Sequence, residues 1–153
     1  MKTISPSKLK KAVYGKKVLV DTNIIIYLTD AVPPYQDLSR FLFEMIEKGE
    51  VRAVVSIVSI AEVMQGPLKK GFVTNAMKVK DYLINFPNIS CQEITGEVLE
   101  RIGADNRIKW SNLRTVDSLI VASGLINKVN QIISNDHHFN RAIPGELLTH
   151  FNQ

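Results

Sequence analysis

Short, almost wholly apolar runs constrain the fold of this chain more than any other feature. Two of them lie at residues 18–20 and 53–57, and a shorter one, Ile132-Ile133, lies inside the segment 131–134; the first runs directly into Asp21, and the segment 131–134 runs into Asn135. A strand with one wet face alternates apolar and polar residues, whereas a strand covered on both faces is apolar throughout. The runs therefore predict buried strands of a parallel sheet.

Helical patterns separate these runs. Apolar residues recur at helical spacing at residues 38–46, and Gly49 follows them. We predict further helices at residues 5–11, at 59–65 (broken by Gly66-Pro67), at 73–86, from Thr95 to about residue 110, and from Thr115 onward. A weaker strand is predicted at residues 89–92, and residues 131–134 are taken as the last strand. Strands that alternate with helices indicate an α/β fold with a mostly parallel sheet between two helical layers.

Length and charge indicate one domain with a basic N-terminal arm. The 153 residues are 45% hydrophobic and 22% charged, which is typical of a globular chain. Of the net charge of +4, the first 20 residues contribute six lysines and no acid. We expect an arm at residues 1–17, which is suited to phosphate contacts or simply solvated, and a single domain at residues 18–153. A single cysteine, no apolar run of membrane length and no signal sequence favour a cytoplasmic protein without a membrane partner.

Four acids fall where the predicted topology brings ligands together. Asp21 follows the first strand directly, and Asp136 comes two residues after the last one. Glu62 and Asp117 lie near the starts of helices. In open α/β sheets, ligands bind beyond the carboxyl ends of the strands, and crossover helices begin at that edge. We expect the four carboxylates to meet there, with Asp117 the least securely placed because no strand precedes it.

Each acid also has a purely structural interpretation. Ser59 and Glu62 match a capping box, so Glu62 would close a helix end. Asp117 suits the first turn of a helix capped by Thr115, and Asp21 and Asp136 suit caps or turns. Together, however, converging carboxylates repel one another unless a divalent cation binds, and Mg²⁺ and Mn²⁺ prefer oxygen ligands. The residues alone thus predict a metal site and metal-assisted phosphoryl chemistry, without identifying RNA.

A phospho-accepting receiver domain also places acids at strand ends, but the pattern here fits it poorly. Such a domain needs two adjacent acids after the first strand and a lysine after the last. This chain has Asp21-Thr22-Asn23 and Ser134-Asn135-Asp136 at those places.

Four segments in order resemble the motifs of PIN-domain ribonucleases, including the VapC-type toxins of toxin–antitoxin pairs. The match spans about residues 18–139, with modest departures: Ser118 stands where alanine is usual, and Ser134 where threonine is. The segments read V-L-V-D21-T-N-I-I, S-I-A-E62-V, D117-S-L-I-V-A-S and I-S-N-D136-H-H-F.

The resemblance implies a PIN-like domain that cleaves single-stranded RNA with Mg²⁺ or Mn²⁺. It assigns catalysis and metal binding to Asp21, Glu62, Asp117 and Asp136, with Asn23 and Ser134 in support. It also implies a small antitoxin partner and a homodimer. A PIN-like module that binds RNA or acts as a scaffold without catalysis is the alternative.

Two further expectations concern surfaces. His137 and His138 follow Asp136 directly, and such adjacent histidines are usually surface residues unless they tune the site or touch RNA. Residues 24–28 and 41–43 hold more apolar surface than one helical face each can bury. If Phe41 and Leu42 face the sheet, Phe43 points away from it. Either another helix of the same domain covers this excess, or it marks a dimer surface, which the resemblance favours.

Overall fold

A parallel β-sheet forms the centre of the protein in the computed structural model, which describes residues 2–153. Its strands are β1 (Lys17–Val20), β2 (Arg52–Ser56), β3 (Ile89–Gln92), β4 (Gln131–Ile133) and β5 (Leu148–Thr149). Their order across the sheet is β3-β2-β1-β4-β5, and every neighbouring pair is parallel. In the register, Leu19 of β1 lies beside Val54 of β2 and Ile132 of β4.

Within residues 2–153 there are eight α-helices, of which the first precedes β1 and the others lie between strands. They are α1 (Pro6–Val13), α2 (Thr22–Thr29), α3 (Gln36–Glu47), α4 (Ile57–Lys69), α5 (Val73–Ile84), α6 (Gly96–Arg101), α7 (Thr115–Ile126) and α8 (His137–Ala142). Short 3-10 turns lie at Trp110–Asn112 and Gly145–Leu147.

The sheet is covered on both faces, as the unbroken apolar runs predict. Val18 and Val20 belong to one buried cluster, and Leu19 between them belongs to a second. The first cluster includes side chains of α1 to α5, and the second includes Ile120 of α7 and Phe139 of α8. The predicted α/β architecture, with helices on either side of the sheet, is confirmed.

The start of α4 differs from the prediction. The strand ends at Ser56, whose hydroxyl accepts a hydrogen bond from the Val58 N–H at 3.2 Å and caps the helix. Ser59 therefore lies inside the helix, and its buried hydroxyl has no hydrogen-bond partner among residues 2–153. The capping-box interpretation of Glu62 is wrong. Pro67 does not stop the helix, which continues to Lys69. Because Pro67 lies in the last turn, its missing N–H costs only one hydrogen bond.

Two other boundaries were predicted incorrectly. Thr95 caps α6 as expected, accepting a hydrogen bond from the Val98 N–H, but the helix ends at Arg101 rather than near residue 110. Gly103 follows with a positive φ of 85°, a conformation that does not continue a helix. The last strand is β5, not β4, and its two residues are too few to give a periodic signal.

Side chains at the N-terminus and on α3 are more buried than the sequence suggested. Leu9 and Val13 of α1 belong to the same core as β1, so the basic segment packs on the domain. Phe43 is only 3% exposed and makes an edge-on contact with Phe86, with 5.4 Å between ring centroids. The expectation that Phe43 faces solvent is wrong.

None of the helices in residues 2–153 has the length and apolar character needed to cross a bilayer.

Candidate active site

Asp21 lies at the carboxyl end of the central strand β1, beside the end of β4. The side chain is nearly inaccessible, since the residue is 4% exposed. Its Oδ1 accepts a hydrogen bond from the Thr22 N–H at 2.8 Å, and its Oδ2 accepts one from the Ser134 hydroxyl at 2.6 Å. Both carboxylate oxygens are thus held in place, and Asp21 also caps α2.

Ser134 connects Asp21 to the segment that carries Asp136. While it donates to Asp21, its oxygen accepts the Asp136 N–H at 3.1 Å. Asn23 makes a second connection, since its Oδ1 accepts the Asn135 N–H at 3.3 Å. Ser134 and Asn23, predicted to support the site, therefore lie between the ends of β1 and β4.

Glu62 reaches the same edge from α4. The Thr22 hydroxyl donates a hydrogen bond to its Oε1 at 2.6 Å. Since the Thr22 N–H also donates to Asp21, one residue connects both acids. Thr22 was not singled out from the sequence, although its place directly after Asp21 is the signal that could have found it.

Asp117 and Asp136 are joined by an arginine that the sequence reasoning also missed. Arg114 donates to both oxygens of Asp117, from Nε at 2.8 Å and from Nη2 at 3.1 Å. The same Nη2 lies 3.3 Å from Asp136 Oδ2. Asp117 is 3% exposed, whereas the Arg114 side chain is 60% exposed. The spacing of three residues at a helix start could have indicated this pair.

The four acids lie at one edge of the sheet, as predicted, but they do not form a single cluster, and their binding of a metal stays a prediction. Arg114 stands between Asp117 and Asp136, and Thr22 stands between Glu62 and Asp21. Carboxylate oxygens at a strand edge are ligands that suit Mg²⁺ or Mn²⁺. The donor set therefore fits a hard divalent cation, with the Arg114 guanidinium as a built-in competitor for two of its ligands.

Comparison with known proteins agrees with this geometry. The family model described as "PIN domain" matches residues 18–143. The chain belongs to the PIN-domain family. A search of curated proteins found no match.

Solved structures with a similar fold include VapBC2 from Rickettsia felis bound to a promoter DNA fragment, at 18% identity and a TM-score of 0.66. That alignment covers 89% of this chain and 99% of the other. DNA-bound VapBC from Salmonella typhimurium aligns at 16% identity with a TM-score of 0.64, over 88% and 98% of the two chains. The toxin VapC20 from Mycobacterium tuberculosis, which cleaves the Sarcin-Ricin loop, aligns at 14% identity with a TM-score of 0.60, over 81% and 93%. At these identities the likeness shows the fold.

The electrostatics of this PIN domain disfavour the ionised form of Asp21 when no cation is bound. Burial raises its pKa to about 7; hydrogen bonds from Ser134 and Thr22 oppose the rise, and the charges of Asp117 and Asp136 add to it. For Asp136, partial burial also acts to raise the pKa. Hydrogen bonds from the His138 backbone and ring, with the charges of His138 and Arg114, nevertheless hold the pKa below its ordinary value. A cation beside Asp21 would relieve the unfavourable charge.

We expect the stability of the metal-free protein to depend on pH through Asp21. Its folded pKa of about 7 exceeds the ordinary 3.8, so the folded state retains a proton that the unfolded state loses between these values. The free energy of unfolding should then fall as pH rises from about 4 to about 7, by roughly 1 kcal/mol per unit at most. Asp21→Asn should flatten this dependence. Urea unfolding in EDTA across that window measures it, with the exposed Asp37→Asn as control. Equal slopes in wild type and Asp21→Asn would contradict the assignment.

Arg114→Gln should separate the guanidinium's role from that of a metal. Without metal, Asp117 loses its only ion-pair partner among residues 2–153, and stability should fall by about 1–2 kcal/mol. Added Mn²⁺ should then raise the melting temperature more in the variant than in wild type, since the competing cation is gone. The control is Arg107→Gln, which breaks a pair whose acid, Asp105, is more exposed than Asp117. If Mn²⁺ stabilises Arg114→Gln no more than wild type, Arg114 does not compete for the site.

Proposed function

We propose that this chain is a metal-dependent endoribonuclease that hydrolyses phosphodiester bonds in single-stranded RNA, and that it is the toxin of a toxin–antitoxin pair in the cytoplasm. The observation that carries the proposal is the buried Asp21 carboxylate, held by two hydrogen bonds and raised in pKa by burial with Asp117 and Asp136 nearby, in a PIN domain. A fixed carboxylate whose ionised form is destabilised by burial is suited to bind a cation.

Asp21, Glu62, Asp117 and Asp136 would hold one or two Mg²⁺ or Mn²⁺ ions. When bound, such ions lower the pKa of a coordinated water and offset charge that develops on the phosphate. Neighbouring side chains of the protein hold the acids in position. Ser134 and Thr22 fix both oxygens of Asp21, and Thr22 fixes Glu62, so their rotamers are set before substrate arrives.

Asp117 or Asp136 would orient the attacking water. Arg114 adds a cation at the exposed side of the acids, and its planar donors suit a phosphodiester oxygen. The basic segment before β1 offers further charge, but which residues bind the RNA chain is left open. A PIN-like module that binds RNA without cutting it is the alternative function.

A cleavage assay tests the proposal. Wild-type protein should cut a defined, end-labelled single-stranded RNA with Mn²⁺ and not with EDTA. Asp21→Asn and Asp117→Asn should lower the rate by roughly 100-fold or more, since losing even an indirect partner of a metal ligand costs 10–100-fold. The matched control is Asp37→Asn, an exposed acid on α3.

Cooperative unfolding of each variant shows that the loss is not misfolding. Wild-type cleavage by Asp21→Asn would overturn the site assignment. Metal-independent RNA binding without cleavage by the wild type would favour the non-catalytic alternative.

Partner binding is a separate part of the proposal. Similar solved structures include a toxin–antitoxin complex from Klebsiella pneumoniae, which supports a small antitoxin partner for this chain. The proposed homodimer can no longer rest on Phe43. Exposed apolar side chains instead lie along α5, where Val73, Met77 and Ile84 share one helical face.

We expect a homodimer of about 34 kDa, twice the 17.2 kDa chain, by light scattering at micromolar concentration. Met77→Glu should shift the mass toward the monomer, because it places a negative charge between the apolar side chains of Val73 and Ile84, on a face that already carries Lys80. Leu99→Glu on α6 is the control, since Leu99 is also exposed but lies elsewhere. A monomeric mass across the concentration range would remove the dimer and leave the ribonuclease proposal intact.

A further inference from the structure

Two adjacent histidines face the outer oxygen of Asp136. His138 Nδ1 lies 2.9 Å from Asp136 Oδ1, and His137 Nδ1 lies 3.8 Å from the same atom. The imidazole rings are close, with centroids 4.2 Å apart and planes inclined by 34°. The three residues therefore present one carboxylate oxygen and two ring nitrogens to a common point.

This arrangement is close to a metal-ligand set. The three ligand atoms all lie within 4.8 Å of one another. Zinc bonds to nitrogen and carboxylate oxygen are about 2.0–2.2 Å long, so two ligands on a tetrahedral ion are about 3.3 Å apart. The observed separations of 2.9 and 3.8 Å to Asp136 bracket that value. Completing the set requires the imidazoles to rotate, and the 70% exposed side chain of His137 leaves room for this and for water as a further ligand.

We propose that Asp136, His137 and His138 form a binding site for Zn²⁺, distinct in chemistry from the hard-cation site of the four acids. Two imidazoles favour zinc over magnesium and manganese, and affinity for such nitrogen sites rises from Mn²⁺ towards Zn²⁺ and Cu²⁺. The capping contact fixes one ligand in advance, because Asp136 Oδ1 also accepts the His138 N–H at 2.8 Å.

The two sites share a residue. Asp136 Oδ1 faces the histidines, while Oδ2 faces Arg114 and, through it, Asp117. Zinc held on the outer side draws Asp136 away from the inner acids and adds positive charge beside them. It follows, on the proposed ribonuclease function, that Zn²⁺ inhibits the Mn²⁺-supported reaction by occupying this outer site.

Binding is tested first, without RNA. Zn²⁺ is titrated by calorimetry into metal-free wild type, His137→Ala, His138→Ala and His150→Ala. The last is a stringent control, because His150 follows β5 at the same edge of the sheet but lies outside the ligand group. Wild type and His150→Ala should bind one Zn²⁺ with equal affinity. His137→Ala and His138→Ala should each bind it roughly 10-fold or more weakly.

The proposed site is wrong if Zn²⁺ binds the His137→Ala and His138→Ala variants as tightly as it binds wild type. It is also wrong if wild type binds no Zn²⁺ at micromolar concentrations. These readings do not depend on catalysis, so they stand apart from the ribonuclease proposal. Unfolding profiles of the variants exclude misfolding as the cause of lost affinity.

The shared residue is tested by inhibition. The cleavage rate with Mn²⁺ is measured against added Zn²⁺, each variant being compared with its own zinc-free rate. Zinc should inhibit wild type and His150→Ala at concentrations that fill the calorimetric site, and His138→Ala should need about 10-fold more. Full occupancy by Zn²⁺ without loss of wild-type cleavage would refute the sharing of Asp136.

Discussion

Negative charge confined at the carboxyl edge of a parallel sheet is the constraint on which this site depends. Asp21 is buried there with Asp117 close enough to raise its pKa further. Such carboxylates tolerate one another only with compensating donors or cations. The fold supplies Ser134 and Thr22 as donors and Arg114 as a cation, and these contacts offset part of the repulsion between the acids.

The sheet could be predicted because its signal is local and strong. In Val18-Leu19-Val20, neighbouring side chains enter opposite cores, so no polar residue is tolerated and the run reads as a two-faced strand. Strand order then places Asp21 and Asp136 side by side, because β1 and β4 are neighbours. The edge location of both acids could be predicted because each follows a strand, whereas the pairing of β1 with β4 was not predicted. Glu62 and Asp117 were also expected there, since helices α4 and α7 begin near the same edge.

The features that could not be predicted from the sequence are the cap of α4, the end of α6 and the contacts of Arg114. Each depends on a single residue or on a contact between residues far apart in the chain. Ser56 and Ser59 are both serines near a helix start, and only the end of β2 decides which one caps. The length of α6 is set by a glycine with positive φ at residue 103, which composition alone does not distinguish from a tolerated helix glycine. Arg114 is exposed and precedes its helix, so nothing in the hydrophobic pattern marked it. Its importance comes from contacts with Asp117 and with Asp136, which lies 22 residues away.

For Asp21 and Asp136, a structural role as helix caps does not exclude the proposed role in the site. Asp21 caps α2 and Asp136 caps α8, each accepting a backbone N–H, so both hold a helix start as ordinary caps do. A capping contact uses one carboxylate oxygen and fixes the rotamer, which leaves the second oxygen aimed in a set direction. For Asp21 that oxygen meets Ser134, and for Asp136 it meets Arg114. A helix N-terminus also carries partial positive charge that favours the ionised carboxylate. Capping therefore orients Asp21 and Asp136 in advance, which is what the proposed cation site requires of its ligands.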